Sequence, residues 1–145
     1  MLTDAEITSR EAKQFSPLAL AFLGDSVYEQ LVRERLLREA NRPVNQLHEA
    51  AVAHVRAEYQ AAAADALADR LSEEETEIYK RGRNASGISV PRHAAVADYR
   101  KATGFECLFG YLQLCGRRER ICELFELVWA CGEQPLTEQD ITEIQ

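Results

Sequence analysis

Two acidic residues stand in surroundings that make an acid costly. Asp25 follows LALAFLG, residues 18–24, in which every side chain is apolar or small. Such a stretch predicts a turn and a half of helix with no wet face. A carboxylate placed there must be paired, hydrogen-bonded or bound to a metal. Gly24 beside it costs ~1 kcal/mol against alanine in a helix interior, and the usual compensation is close approach of another backbone or a ligand. Glu106 repeats the pattern. Tyr99, Thr103, Glu106 and Gly110 fall at i, i+4, i+7 and i+11, one helical stripe beside the apolar Phe105 and Phe109, with Gly104 and Gly110 leaving room near the acid. Two carboxylates on two buried helices suit a hard divalent cation: Mg²⁺ takes oxygen ligands, keeps several waters and is held by one or two carboxylates plus substrate phosphate. The alternative is a pair of core acids satisfied by arginine or backbone, and spacing alone leans towards it.

The second group with chemical potential is basic. The net charge of −7 by itself argues against a nucleic-acid binder. Its distribution argues otherwise: between residues 80 and 101 stand Lys80, Arg81, Arg83, Arg92, Arg100 and Lys101, with Asp98 as the single acid. An acidic body with one basic segment binds a polyanion at one place and repels it elsewhere. The other candidates are weaker. Glu29 lies four residues before Arg33, the spacing of a helical salt bridge. His48 falls in the first turn of a predicted helix and reads as structural, and His54 and His93 have no metal-ligand spacing. Cys107, Cys115, Cys122 and Cys131 form no C-x-x-C pair and read as reduced packing residues. With no membrane-length apolar run and no signal-peptide order at the N-terminus, the expectation is a soluble cytoplasmic protein.

The elements that must position these residues are helices. Ser16 and Pro17 form an N-cap and first helical position, predicting a helix over 17–39 that ends before Asn41-Arg42-Pro43. A second helix is predicted over 46–71, capped by Asn45, with Leu47, Ala51, Val55, Ala62, Ala66 and Leu67 facing inward. Ser72 and Glu75 form a capping box for a short third helix ending near Arg81-Gly82. RNASGISVPR, residues 83–92, reads as a loop. A fourth helix is expected over 94–115, with Phe105, Leu108, Phe109 and Leu112 on its apolar face. A fifth is expected over 118–131, with Ile121, Leu124, Phe125, Val128 and Trp129 facing inward. No strand alternation or repeat interrupts this order. The domain is all-α, occupying 16–132 between an arm or short helix at 1–15 and a polar tail at 133–145.

LALAFLGDSVYEQLVR resembles the signature helix of the ribonuclease III catalytic domain, and YRKATGFECLFGYLQL resembles its second acidic motif. RGRNA with the Ser/Pro loop behind it, and Asn45-x-Leu47-His48, resemble more narrowly the bacterial mini-ribonuclease III family. The likeness runs from about Leu18 to Val128. It implies a homodimeric helical bundle that hydrolyses phosphodiesters in double-stranded RNA with Mg²⁺, or Mn²⁺ in its place. Asp25 and Glu106 fall on the family's catalytic, metal-holding acids. Ala21 and Thr103 stand where the ordinary ribonuclease III pattern has two further acids, a departure shared with the mini-family that leaves open whether one or two metals are held.

The 39 residues after Glu106 suffice for a closing helix but not for a separate double-stranded-RNA-binding domain. The catalytic domain is then expected to grip RNA itself, through Lys80, Arg81, Arg83, Asn84 and Arg92, tracking phosphates and 2′-hydroxyls across a minor groove. The apolar helix 18–32 is the expected dimer contact. The resemblance further implies a structured substrate such as the paired ends of 23S ribosomal RNA precursor, with a ribosomal protein as a conceivable presenting partner. Two competing readings keep the helices and drop the chemistry: an inactive RNA-binding or ribosome-associated module, and a helical adaptor. Retention of both acids weighs against the first, and the basic loop against the second.

Overall fold

The computed structural model describes residues 7–132. They form helices α1 (Ser9–Ala12), α2 (Pro17–Glu39), α3 (Val44–Val55), α4 (Ala57–Leu67), a single 3-10 turn (Ala68–Arg70), α5 (Glu73–Arg83), α6 (Val96–Leu114) and α7 (Arg118–Gly132). No strand occurs among the described residues, so the all-α expectation holds. The expected tail at 133–145 and the first six residues lie outside the described part. None of the described helices is long and apolar enough to cross a membrane.

Capping chemistry sets the starts. Ser16 Oγ accepts from the Ala19 amide at 3.1 Å, and Pro17 occupies the first turn of α2. The Ser72–Glu75 box is complete, with Ser72 Oγ accepting from the Glu75 amide at 3.1 Å and Glu75 Oε1 accepting from the Ser72 amide at 2.8 Å. Glu75 is also buried against Arg120, whose Nε donates to it at 2.9 Å, tying α5 to α7. Within the expected arm, Thr8 and Glu11 form a further box that starts α1.

The centre of the bundle is α6, which packs against α2, α4, α5 and α7. Phe105, Leu108, Phe109 and Leu112 are buried as expected, and Cys107 and Tyr111 are buried with them. The inward set expected on α7 is buried throughout. Tyr28 joins α2 to this core, its ring standing edge-on to Phe105 at 4.9 Å.

Four expectations are corrected. The helix expected over 46–71 starts at Val44, takes no side-chain bond at its cap, and breaks at Arg56, whose ψ of 156° is extended. The break shifts the helical phase of α4: Ala61, Ala63, Ala64 and Leu67 face inward, while Ala62 and Ala66 are exposed. The fourth helix starts at Val96, two residues later than expected. Residues 18–24 do have a wet face in the single chain, with Leu18 36% and Phe22 84% exposed. Among the cysteines Cys107 is buried and hydrogen-bonded to the Ile78 carbonyl, but Cys122 and Cys131 are exposed rather than in the core.

Candidate active site

Two glycines bring the acids together. A Cβ on Gly24 would overlap the backbone carbonyl of Glu106 and sit 2.8 Å from the Gly110 nitrogen; a Cβ on Gly110 would overlap the carbonyl of Leu20. Here α2 and α6 cross backbone to backbone, which only residues without a side chain allow. The space these glycines leave is filled by the neighbouring helix rather than by a ligand. Asp25, the next residue after Gly24, is thereby held beside Glu106.

The two carboxyl groups are unlike. Asp25 is exposed in the single chain, contrary to the expectation of a buried acid, while Glu106 is half-buried. Burial pushes the Glu106 carboxyl up to about 9, and a hydrogen bond to Asp25, the Asp25 charge and the Glu29 charge raise it in the same direction. At neutral pH without metal, the protonated form of Glu106 is therefore favoured. Glu29, one turn after Asp25, is paired with Arg33 at 3.1 Å as its spacing predicts.

The donor set fits a hard divalent cation: two adjacent carboxyls, one of which holds a proton that a cation would replace. Among the described residues no three His, Cys, Asp or Glu side chains gather into a metal cage.

The basic segment surrounds the end of α5. Arg83 donates from Nε to Asn84 Oδ1 at 3.2 Å, and its guanidinium lies 5.8 Å over the Tyr79 ring. Lys80, Asn84 and Arg92 are exposed. Arg81 uses one Nη on the Phe15 carbonyl at 3.3 Å, just ahead of α2. Lys101 is engaged by Asp65 at 2.9 Å. In the sequence Arg100 is only one more charge; in the fold its Nη1 donates to the Arg83 and Ala85 carbonyls. No spacing rule marks such a residue, because its partners are backbone oxygens.

Two helices thus cross on a glycine pair with an acid from each at the crossing, and sequence comparison supplies the class. A model of the ribonuclease III domain matches residues 18–117. The chain is 43% identical over 127 residues to the mini-ribonuclease 3 of Thermoanaerobacter sp. (strain X514), covering 87% of this chain and 89% of that one. It is 47% identical over 110 residues to that of Symbiobacterium thermophilum, covering 76% and 85%. A crystal structure of a protein from Fusobacterium nucleatum superposes with a TM-score of 0.74 at 30% identity, covering 83% of this chain and 96% of that one. The chain belongs to the mini-ribonuclease III family and is an endoribonuclease of the ribonuclease III type.

Proposed function

We propose that Asp25 and Glu106 form the catalytic centre of a Mg²⁺-dependent endonuclease for double-stranded RNA, acting in the cytoplasm on 23S ribosomal RNA precursor. The observation that carries the site is the glycine crossing of α2 and α6 that sets Asp25 beside Glu106, whose carboxyl is pushed up by burial and by Asp25. Mg²⁺, or Mn²⁺ in its place, bound to the two carboxylates supplies charge stabilisation at the phosphodiester and lowers the pKa of an attacking water. Asp25, exposed on α2, offers the first carboxylate without rearrangement. Glu106 must release its proton to offer the second. Fixed to α6 at the glycine crossing, it cannot retreat from its neighbour, so the pair keeps its geometry between turnovers.

Lys80, Arg81, Arg83, Asn84 and Arg92 hold the duplex through its phosphates, which accounts for a basic segment on an acidic protein. The exposed Phe22 and Leu18 on α2, and an apolar groove of about 200 Å³ lined by Leu36, Leu37, Val44, Leu47 and Ala51, support a homodimer with two such centres. A ribosomal protein presenting the RNA is consistent with this reading.

The test is cleavage of a long RNA duplex and of its single strand by the purified protein, with Mg²⁺ or EDTA, beside Asp25→Asn and Glu106→Gln. Duplex-only, metal-dependent cutting lost by at least about 10³-fold in both variants is expected, since each removes a metal-holding carboxylate. Undiminished cutting by Glu106→Gln would place the centre elsewhere, and duplex binding without any cutting would make the domain a binding module.

A further inference from the structure

The basic segment is fastened to both acid-bearing helices, and one residue makes the principal tie. Arg100 stands on α6, nearly two turns before Glu106. Its Nη1 donates to the Arg83 carbonyl at 3.3 Å and to the Ala85 carbonyl at 3.2 Å. These oxygens lie at the end of α5, where the helix's own ladder has run out of donors. The segment is braced beside this tie as well. A Cβ on Gly82 would come within 2.6 Å of the Cys107 Cβ and 2.8 Å of the Gly104 Cα, so α5 ends pressed against α6. Arg81 bonds the Phe15 carbonyl ahead of α2, and Gly87, at φ +84°, turns the loop so that it faces the Leu18 side chain.

We propose that Arg100 is a positioning residue for cleavage. By fixing the end of α5 to the helix that carries Glu106, it sets the register between the phosphates gripped by Arg83, Asn84 and Arg92 and the phosphodiester presented to the Asp25–Glu106 pair. This rests on the reading that the basic segment grips the duplex. Arg100 is half-buried and its bonding nitrogen is turned to backbone carbonyls, so its part is placement rather than phosphate binding. Placement matters because a shift of about 1 Å at a reacting centre can cost about 10²-fold in rate. Both bonds come from a single nitrogen, so a lysine ammonium can replace them where a methionine cannot.

The experiment measures duplex affinity over a salt series without divalent ion, then single-turnover cleavage at saturating enzyme with Mg²⁺ on an end-labelled duplex. The Arg83→Gln/Arg92→Gln pair should weaken binding and flatten the slope of log affinity against log salt by about two, near one for each phosphate left without its arginine. If it does not, the grip reading fails, and this inference with it. With the grip established, Arg100→Met should keep its affinity within about threefold and its salt slope unchanged, yet cut about 10- to 100-fold more slowly at saturation and at a broader set of positions. Arg100→Lys should restore both rate and positions. Arg100→Gln, too short to reach both carbonyls, makes the same prediction in milder form if the methionine variant does not fold. Wild-type rate and cut positions in the Arg100 variants overturn the proposal, as does a fall in affinity and salt slope of the size that removing one phosphate-binding arginine produces.

Discussion

Glu106 carries a pH dependence whose sign follows from its surroundings. Its carboxyl is raised from the ordinary 4.5 to about 9, so without metal the folded chain holds a proton that the unfolded chain releases throughout that window. Stability of the metal-free protein therefore falls as pH rises from about 4.5 towards 9, by on the order of 3 kcal/mol at neutral pH. Glu106→Gln removes this dependence: thermal melts in EDTA should show a flatter pH profile and a higher melting temperature at pH 8 than wild type. On the proposed metal site, the same proton governs metal affinity. Each divalent ion bound below pH 9 displaces about one proton, so affinity should rise nearly tenfold per pH unit up to that point. Calorimetric titration of Mg²⁺ at pH 7.5 in buffers of different ionisation enthalpy measures the release directly. A proton count near zero would mean that Glu106 takes no part in holding the ion.

At the scale of elements, the site depends on how closely α2 and α6 cross. Gly24 and Gly110 each face backbone atoms of the opposite helix, which cannot rotate away as a flexible side chain can. Gly24→Ala and Gly110→Ala should each cost about 3 kcal/mol or more by overpacking. Each should also part the carboxyls, so that Glu106 titrates nearer the ordinary carboxylate range in NMR; an unshifted titration would show that the pair does not depend on this crossing. The sequence carries part of this. Ser16 and the Ser72–Glu75 box mark helix starts through local bonds, and Asp25 and Glu106 are visible because an acid amid apolar residues is conspicuous by type alone. That glycines permit close approach is legible too, but which backbone approaches is a tertiary fact. The break at Arg56 is not legible, because no glycine or proline marks it. The freed carbonyls at the end of α3 are met instead by the Tyr28 hydroxyl, at 2.8 Å from His54 O, and by the Gln60 amide, at 2.8 Å from Val55 O. Both donors come from other helices, and Tyr28 lies 26 residues away.

At the scale of the molecule, the single chain leaves its outer α2 face incomplete. Phe22 is 84% exposed, with Leu18 one turn before it and Asp25 nearly one turn after it. An exposed aromatic on the helix that carries Asp25 is costly for an isolated chain, and burying it against a second copy would return about 2–3 kcal/mol per ring. The groove lined by Leu36, Leu37, Val44, Leu47 and Ala51 offers apolar surface of matching character. A two-fold pairing uses both features twice. On the proposed homodimer, Phe22→Asp should yield monomers by analytical ultracentrifugation at concentrations where wild type sediments as a dimer. Because Phe22 packs little within its own chain, the variant should stay helical, and its melting temperature should no longer depend on protein concentration. Its cleavage should change in kind as well as rate. A dimer presents two acid pairs to one duplex and severs both strands in one encounter, whereas a monomer carries a single pair and nicks. Early product that is shortened on a denaturing gel but full-length on a native gel for Phe22→Asp, and shortened on both for wild type, would tie the exposed aromatic to coordinated double-strand cutting; a dimeric Phe22→Asp protein would move the interface to another face.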